Sequence, residues 1–491
     1  MTLLFPDLPG YSGVNRPLRF EGSLQDLEVI GEIPADLAGT FFRAGADPQY
    51  PPLAPPILFD GDGIVSAFTF ADGHVDFAIR YVQTARFMAE REARRALFGL
   101  YRNPFTDDPS VAGMSRAVAN TNVVFHAGKL LALKEDGLPH ALDPYTLETL
   151  GPWDFGGGLT AQTFTAHPKI DPVTGELVGY AYSARGEATN DIALYVADAV
   201  GRVTNEIWFE PPAEAPYSAM IHDFGVTPNY AILPLIPLSG DLERMKGGGL
   251  RFQWEPHADI FFGVVPRNGR ADEVRWFRAP NGFPGHIANA FEQDGKIILD
   301  LDIIDGNPMW FFPDGNGHVA NPATLSGAIK RFTFDLSAAG DRVEGETLAP
   351  VQNLFTHCDD RFTTQPYRHV FGTLSDRSQP YDTERAGPIT GAHQNGWRHV
   401  DLRTGAVQTW FPGLTATVQE PVFAPRSINA AEGDGYLVGL INQLAARRTE
   451  VVILDALNIA AGPVATVLMP MLLRSGFHGN WVPEYDLPPR K

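Results

Sequence analysis

Cysteine is almost absent from this chain of 491 residues, because Cys358 is the one cysteine in the sequence. An intramolecular disulfide is therefore excluded, and so is a metal site built from two or more thiolates. Any bound metal has to be held mainly by histidine, aspartate or glutamate. The composition is otherwise ordinary, with 44% hydrophobic and 20% charged residues, which indicates a folded protein and argues against intrinsic disorder.

Basic residues are also scarce. The chain has 38 lysines and arginines against 58 aspartates and glutamates, a formal net charge of -20, which opposes binding to nucleic acid or to an anionic membrane. Only seven of the cations are lysines. No stretch of 18 apolar residues occurs, and the first residues lack the basic and then apolar pattern of a secretory signal. We therefore expect a cytoplasmic protein with no nucleic-acid partner and no stable membrane insertion.

Glycine and proline are abundant, at 49 and 41 residues, a density typical of many short strands joined by turns. Strand-like runs extend along the whole chain without a linker of low complexity. They include residues 64–70, 75–82, 179–183, 191–196, 260–265, 273–278, 296–304 and 450–454. One segment, 87–100, is rich in Arg and Glu and predicts a helix. Seven four-stranded blades of about 70 residues would use this length without leaving exposed sheet edges. The sequence thus predicts an all-β, seven-bladed propeller formed by residues 1–491 as one domain.

The thirteen histidines divide by their surroundings. Those at 74, 318, 393 and 399 lie in polar, turn-like segments, and five others are ambiguous. Four lie among apolar, small or chain-breaking residues and are separated by 55, 64 and 192 residues, close to one, one and three blade lengths. These four are His167, His222, His286 and His478. Each alone is equally consistent with a buried structural histidine, but equivalent positions on different blades converge on the propeller axis, where four imidazoles could hold one metal ion.

Metal-bound histidines commonly donate their second ring nitrogen to a carboxylate. Glu135 and Glu420 adjoin apolar runs and are candidates for this role. The alternative for each is an ordinary carboxylate at a strand end that faces water. Lys134 precedes Glu135 in a leucine-rich strand, and strand alternation would send the two side chains to opposite faces. A lysine there either reaches the surface or serves a buried site.

The chain resembles the carotenoid cleavage oxygenase superfamily, and within it the bacterial branch that cleaves lignostilbenes and stilbenes. The resemblance runs along nearly the whole chain. It rests on Leu37-Ala-Gly-Thr-Phe-Phe-Arg-Ala-Gly, Phe59-Asp-Gly-Asp-Gly, the four histidine segments, Glu420-Pro-Val-Phe-Ala-Pro-Arg and Gly476-Phe-His-Gly-Asn-Trp. It implies a propeller capped by loops and helices, with Fe(II) held by His167, His222, His286 and His478 and two of the three family glutamates at Glu135 and Glu420. The third does not carry over, because Asn353 or Leu354 stands in its place. Asp359 and Asp360 are candidate substitutes behind His286.

The same resemblance implies substrate residues. Tyr101 and Lys134 match the residues that distinguish the stilbene-cleaving branch from the carotenoid cleavers, and Phe59 and Thr121 match further residues around the substrate and the open metal position. Phe311 and Phe312, beside Trp310, are candidate cleft aromatics. The implied reaction is the cleavage of a 4-hydroxystilbene by O2. Tyr101 and Lys134 bind the phenol, electron density moves onto the central alkene, and two aromatic aldehydes form.

Two other functions remain open at this point. The first is an apocarotenoid cleavage oxygenase with the same fold and iron. The second is a propeller of another class, either a binding scaffold or a calcium- or zinc-dependent hydrolase, for which acidic oxygen ligands or three protein ligands would be expected instead of four histidines. The sequence does not determine whether the chain forms a homodimer or which ring substituents it prefers.

Overall fold

The computed structural model of the chain describes residues 4–349, 353–389 and 393–489. It is a seven-bladed β-propeller, which confirms the predicted fold class. In blades 1 to 5, strands that are consecutive in the chain pair antiparallel, so each of these blades is a meander that starts at its inner edge, whereas blades 6 and 7 also include strands from the other end of the chain. We number the blades in chain order by their inner strands.

Blades 1 to 3 come first in the chain. Blade 1 contains Asn122–His126, Lys129–Leu133, His140–Leu142 and Thr149–Pro152. Blade 2 contains Lys169–Ile170, Leu177–Tyr182, Ile192–Ala197 and Val203–Phe209. Blade 3 contains Gly225–Val226, Tyr230–Leu235, Ile260–Pro266 and Arg275–Ala279, and a separate ribbon is formed by Leu238–Gly240 and Phe252–Trp254.

Blades 4 to 7 complete the ring. Blade 4 contains Phe283–Gln293, Lys296–Ile304, Gly327–Phe334 and Glu346–Ala349. Blade 5 contains Asn353–His357, His369–Leu374, Gly396–Asp401 and Ala406–Trp410. Blade 6 contains Ala416–Pro425, Gly435–Gln443, Arg448–Asp455, Pro463–Leu468 and the N-terminal strand Glu28–Gly31. Blade 7 contains Gly479–Pro483, Gly39–Ala46, Gly63–Ala71, His74–Tyr81 and Gly22–Leu24.

Blades 6 and 7 close the ring by combining the two ends of the chain. In blade 7 the C-terminal strand Gly479–Pro483 pairs antiparallel with Gly39–Ala46. In blade 6 the N-terminal strand Glu28–Gly31 pairs with Pro463–Leu468. These two seams join residues more than 400 positions apart into the same sheets, so backbone hydrogen bonds within blades 6 and 7 hold the two ends of the chain together.

The core lies between the blades, where the faces of adjacent sheets pack. Middle strands are buried on both faces and read as continuous apolar runs, as in Leu177–Tyr182, whereas the outer strand Val203–Phe209 alternates buried and more exposed residues because its second face meets solvent. Between blades 3 and 4, Phe262 packs against Phe332 and Phe334. Each such buried side chain contributes roughly 1.5–3 kcal/mol through the hydrophobic effect.

The predicted strands are all present, with ends that shift by at most two residues. Asp72 and Gly73 form the expected two-residue turn, both with positive φ, as a type I′ hairpin requires. The histidine at 399, predicted in a turn-like segment, instead lies buried in strand Gly396–Asp401. The strand ends at Asp401, whose carboxylate is paired with Arg368 from outside the strand, which is why the local polar pattern was misleading.

Helices are few and short. The α-helices are Ala85–Ala93, Leu242–Lys246 and Thr383–Ala386. Short 3-10 helices occur at Pro9–Tyr11, Gly13–Asn15, Pro104–Thr106, Pro109–Val111, Ala271–Glu273, Pro322–Thr324, Asp360–Phe362, Ile459–Ala461 and Glu484–Asp486. Among the residues that the structure describes, no helix is long and apolar enough to cross a bilayer.

The helix predicted over 87–100 is shorter than expected. It begins after Thr84, whose side chain accepts a hydrogen bond from Phe87 N, and it ends where Arg94 adopts a left-handed conformation. The buried Glu90 carboxylate then accepts hydrogen bonds from the backbone N–H groups of Leu97 and Phe98. This side chain offers the following segment an alternative to helical bonding, so the chain turns and buries its apolar residues.

Candidate metal centre and aromatic cleft

Four histidines converge at the inner edges of the blades. His167, His222 and His478 directly precede or closely approach the inner strands of blades 2, 3 and 7, and His286 lies within the inner strand of blade 4. One ring nitrogen from each lies within 4.8 Å of the others. The intervals of 55 and 64 residues therefore each span one blade, and the interval of 192 residues spans three.

Two carboxylates hold two of these rings from behind. His222 Nδ1 donates to Glu135 Oε1 at 2.7 Å, and His478 Nδ1 donates to Glu420 Oε1 at 3.0 Å. Glu135 comes from blade 1 and Glu420 from blade 6, two of the blades that supply no histidine to the cluster. The carboxylates place the proton on Nδ1, so Nε2 turns its lone pair toward the centre of the cluster.

The electrostatics of the cluster suit a cation. Burial and then the neighbouring histidines hold the pKa of His167 and His286 well below the usual range, so both rings are neutral. Burial opposes the charged form of Glu135, but the hydrogen bond from His222 and the charge of Lys134 outweigh it and lower its pKa to about 2. His167 Nε2 is buried and has no hydrogen-bond partner among the described residues.

This donor set fits a divalent transition metal. Four neutral imidazole nitrogens are typical ligands for Fe, Zn, Cu and Ni, and the two ionised glutamates supply the negative charge that a dication requires. The four histidines thus form a metal site, with His222 and His478 oriented by carboxylates.

The ring of His286 has a different neighbour. The backbone N–H of Phe355, on the inner strand of blade 5, lies 3.3 Å from His286 Nδ1, and the Phe355 ring stacks on the imidazole with centroids 5.1 Å apart. Asp359, one proposed substitute, instead pairs with Arg361 at 2.6 Å, and no contact joins Asp360 to this ring among the described residues. The side chains of Asn353 and Leu354 lie outside what the structure describes.

Lys134 enters an aromatic cleft beside the cluster. It lies one residue beyond strand Lys129–Leu133, is only 4% exposed, and forms no ion pair or hydrogen bond with a described residue. Its Nζ lies 5.2 Å from the ring centroid of Tyr101 and 5.5 Å from that of Phe59. The neighbouring Glu135 points instead to His222, so the two side chains serve different sites, as the alternation argument predicts.

The cleft is lined by aromatic rings in mutual contact. Phe59 lies 6.3 Å from Tyr101 and 5.4 Å from Phe311, and Tyr101 lies 6.1 Å from Phe312, between centroids. Trp310, which is 47% exposed, packs on the outer side of Phe311. Burial and the charge of Glu135 raise the pKa of Tyr101 well above its usual value, so its hydroxyl stays protonated. The structure therefore brings together the residues predicted for substrate binding.

Two further residues connect the cleft to the histidines, and sequence reasoning did not single them out. Phe477 lies 5.8 Å from Phe59 between centroids and directly precedes His478. Asn120 donates to the backbone oxygens of Phe59 and Gly61 and accepts from the Thr121 hydroxyl. The backbone oxygen of Thr121 in turn accepts a hydrogen bond from the backbone N–H of His478, at 3.1 Å. Both residues directly precede a predicted site residue in the sequence, Phe477 before His478 and Asn120 before Thr121, and this position was the signal that could have identified them.

Comparison with known proteins agrees with this arrangement. The sequence profile of the retinal pigment epithelial membrane protein (RPE65) family matches residues 15–483. The chain belongs to the RPE65/carotenoid oxygenase family. It is 44% identical to resveratrol cleavage oxygenase 1 of Aspergillus fumigatus, over 99% of this chain and 98% of that one. It is also 44% identical to isoeugenol monooxygenase of Pseudomonas nitroreducens, over 97% and 98%.

A solved structure agrees equally well. The crystal structure of lignostilbene dioxygenase from Pseudomonas brassicacearum superposes with a TM-score of 0.95, at 46% identity, over 98% of this chain and 100% of that one. The family membership predicted from the sequence motifs is therefore confirmed, and lignostilbene and resveratrol cleavage oxygenases are among the close relatives.

Proposed function

We propose that this enzyme is an Fe(II)-dependent dioxygenase that cleaves the central C=C bond of 4-hydroxystilbenes with O2 and releases two aromatic aldehydes. The observation that carries the proposal is Lys134, a buried ammonium group that forms no ion pair or hydrogen bond with a described residue, placed in an aromatic cleft beside four converging histidines. The names of the relatives support the same reaction class.

Lys134 and Tyr101 bind the phenol end of the substrate. Burying an ammonium group without a directly bonded counter-ion costs several kcal/mol. A phenolate oxygen, formed as the phenol releases its proton to water on binding, would provide that counter-ion. The Tyr101 hydroxyl, kept protonated by burial, donates to the same oxygen. Phenolate character spreads negative charge through the conjugated system onto the central alkene, which becomes more reactive toward oxygen. Lys134 and Tyr101 thus stabilise the negative charge on the phenolate oxygen, whereas the reaction with oxygen occurs at the central alkene.

The aromatic rings position the alkene and keep water out. Phe59 and Phe311 pack at right angles, an arrangement suited to holding a planar stilbene ring. Phe477 extends this wall to His478. When bound, the iron supplies the redox chemistry that allows O2 to react with an alkene. Each oxygen atom of O2 ends in one aldehyde, so the reaction needs no external reductant.

Replacing Lys134 by methionine tests the role of the ammonium group. Methionine keeps the length and apolar contacts of the stem and removes the charge. We expect kcat/KM for a 4-hydroxystilbene to fall by about 100-fold or more, with iron content unchanged. Lys129→Met is the matched control, because Lys129 lies on the same strand with its Nζ over Trp153. Unchanged turnover by the Lys134 variant would contradict the assignment.

A substrate panel separates the proposal from its alternatives. We expect rapid O2 uptake with 4-hydroxystilbene and slow uptake with its O-methyl ether, because a methyl ether cannot form the phenolate that Lys134 and Tyr101 bind. A 4-hydroxyphenylpropene is included because one relative is an isoeugenol monooxygenase. Faster cleavage of an apocarotenal than of any phenol would favour the apocarotenoid oxygenase instead.

A further inference from the structure

A polar cavity lies at the closure of the propeller, between blades 6 and 7 and behind Glu420. Its volume is about 30 Å³, and one water molecule needs roughly 10–15 Å³ by the same kind of measure. Buried residues from both blades and from the segment before His478 form its wall. The polar side chains among them are Arg43, Asp47, Ser66, Gln419 and Arg474.

Arg43 brings a positive charge into this wall without a close counter-ion. The side chain is 3% exposed, and its Nη1 lies 3.5 Å from Glu420 Oε2. That carboxylate is already engaged, since it accepts from His478 Nδ1 at 3.0 Å and from Gly479 N at 3.1 Å. Arg43 Nη1 and Nη2 have no hydrogen-bond partner among the described residues. Burial lowers the pKa of Arg43 to about 10, which still leaves it charged at neutral pH.

Gln419 adds a further donor to the same wall. Its Oε1 accepts both from Arg43 Nε at 3.0 Å and from Gly476 N at 2.9 Å. Because both partners are donors, the orientation of the amide is determined, and Nε2 is its other end. Gln419 Nε2 is buried and has no partner among the described residues. Apart from the Ser66 hydroxyl, the unpartnered polar groups among the described side chains that line this cavity are therefore N–H donors.

The carboxylate on the cavity wall is already used. The Asp47 carboxylate accepts from the backbone N–H groups of Leu18 and Arg19 and from the hydroxyl of Tyr81. The positive charge of Arg474 offsets the negative charge of Asp47. A divalent ion held by the histidines would be balanced by Glu135 and Glu420, which leaves Arg43 as the unbalanced cation. A water molecule offers two hydrogens, for which the Ser66 hydroxyl is the free side-chain acceptor on the described wall, whereas a monoanion accepts from every free donor.

We propose that this cavity binds a small monoanion of the halide class, held by Arg43 and Gln419. The site is built into the fold: a Cβ on Gly476 would lie 3.0 Å from Arg43 Nε and 2.7 Å from Ala44 O, so a residue without a side chain is needed for Arg43 to pass. The bound anion completes the charge balance of the Arg43–Glu420 pair and thereby stabilises the segment that carries His478.

Bromide provides the direct test. Crystals of the metal-loaded protein are soaked in sodium bromide, and anomalous data are collected at the bromine edge. We expect one anomalous peak in the cavity, within hydrogen-bond reach of Arg43 Nη2 and Gln419 Nε2. Density without anomalous signal at this place would mean that water alone fills the cavity, and the proposal would be overturned.

A solution test uses the metal-loaded protein and its variant Gln419→Glu. At constant ionic strength, replacing gluconate by chloride should raise the Tm of the wild type by about 2 °C. Gln419→Glu replaces the free donor by a carboxylate that pairs with Arg43, so we expect the chloride response to vanish while the Tm in gluconate stays at or above that of the wild type. Arg43→Met should also lose the response. Arg202→Met, at an exposed ion pair, is the control. Equal chloride responses in the wild type and Gln419→Glu would refute the site.

Discussion

Two groups of neighbouring histidines in the described part of the chain differ in function, because the group at the axis forms a metal site and the pair in blade 5 does not. At the axis, His222 and His478 donate to Glu135 and Glu420, and four rings converge. In blade 5, His369 and His399 are both buried, but His369 Nδ1 lies 2.9 Å from His399 Nε2, so the two rings bond to each other. The neighbouring carboxylate of Asp401 is held by Arg368 and does not reach either ring from behind.

The difference lies in where the lone pairs point. A carboxylate behind a ring places the proton on the nitrogen that faces the carboxylate. The other ring nitrogen then directs its lone pair toward the centre of the cluster, as at the axis. In the blade 5 pair, one ring uses its lone pair to accept from the other, and Phe371 stacks on His399 at 5.2 Å between centroids. Burial of histidine therefore does not by itself indicate a metal site, whereas convergence together with carboxylate partners does.

The largest expected effect comes from removing a converging ring. His222→Ala deletes one ligand and leaves the Glu135 carboxylate buried without its partner. We expect loss of most bound metal, measured by elemental analysis, and loss of activity with it. His399→Gln serves as the control, because it alters the other histidine group and should retain full metal content. Loss of metal from both variants would show that the contrast between the two groups is wrong.

Removing a carboxylate behind a ring should have a smaller effect. Glu420→Ala leaves His478 in place but removes the acceptor for its Nδ1 proton. We expect metal affinity to fall about 10- to 100-fold, measured by competition with a chelator of known affinity. Phe355→Ala, which removes only the ring stacked on His286 and keeps the backbone N–H, should change the affinity by less than Glu420→Ala does. The reverse order would mean that the carboxylates do not orient the ligands.

The smallest effect concerns acid stability in blade 5. Burial and then His369 lower the pKa of His399 to about 4, against an ordinary value near 6.5. The unfolded chain therefore binds this proton at a higher pH than the folded protein, so the contribution of His399 is present above pH 6.5 and is lost as the pH falls toward 4.

We expect this loss to reach about 2 kcal/mol, or roughly 2 °C in Tm for a chain of this size. The glutamine of His399→Gln cannot bind the proton. As the pH falls from 7 to 4.5, the Tm of this variant should therefore rise relative to the Tm of the wild type. Thermal melts of both proteins at the two pH values measure this difference. A constant Tm difference would show that His399 does not titrate in this window.

Much of the site was predictable because the propeller is periodic. Histidines spaced by one and three blade lengths converge in any ring of equal blades, and Glu135 and Glu420 followed from the chemistry of metal-bound histidine. The neighbour of His286 could not be predicted, because it is a backbone N–H group, which no side-chain pattern reveals. His399 was misplaced for a related reason, since the ion pair between Arg368 and Asp401 makes a buried strand resemble a turn in sequence.

The cleft was predicted less completely than the histidines. Phe59, Tyr101 and Lys134 came from resemblance to relatives, whereas Phe477 and Asn120 reach the cleft through loop geometry that depends on how blades 1 and 7 meet. The end of the helix at Ala93 also required tertiary information, because the Glu90 side chain determines it by bonding to later backbone groups.

The closure of blade 7 has a consequence for synthesis of the protein. The last of the four converging histidines, His478, lies directly before the strand that pairs with Gly39–Ala46. On the ribosome, three of the ligands and Glu135 emerge long before this strand, so a nascent chain carries an incomplete coordination set for most of its translation. Metal capture with all four imidazoles therefore has to wait until this segment has been made, and a truncation that removes residues 478–483 leaves blade 7 without its inner strand and the metal site without its fourth imidazole.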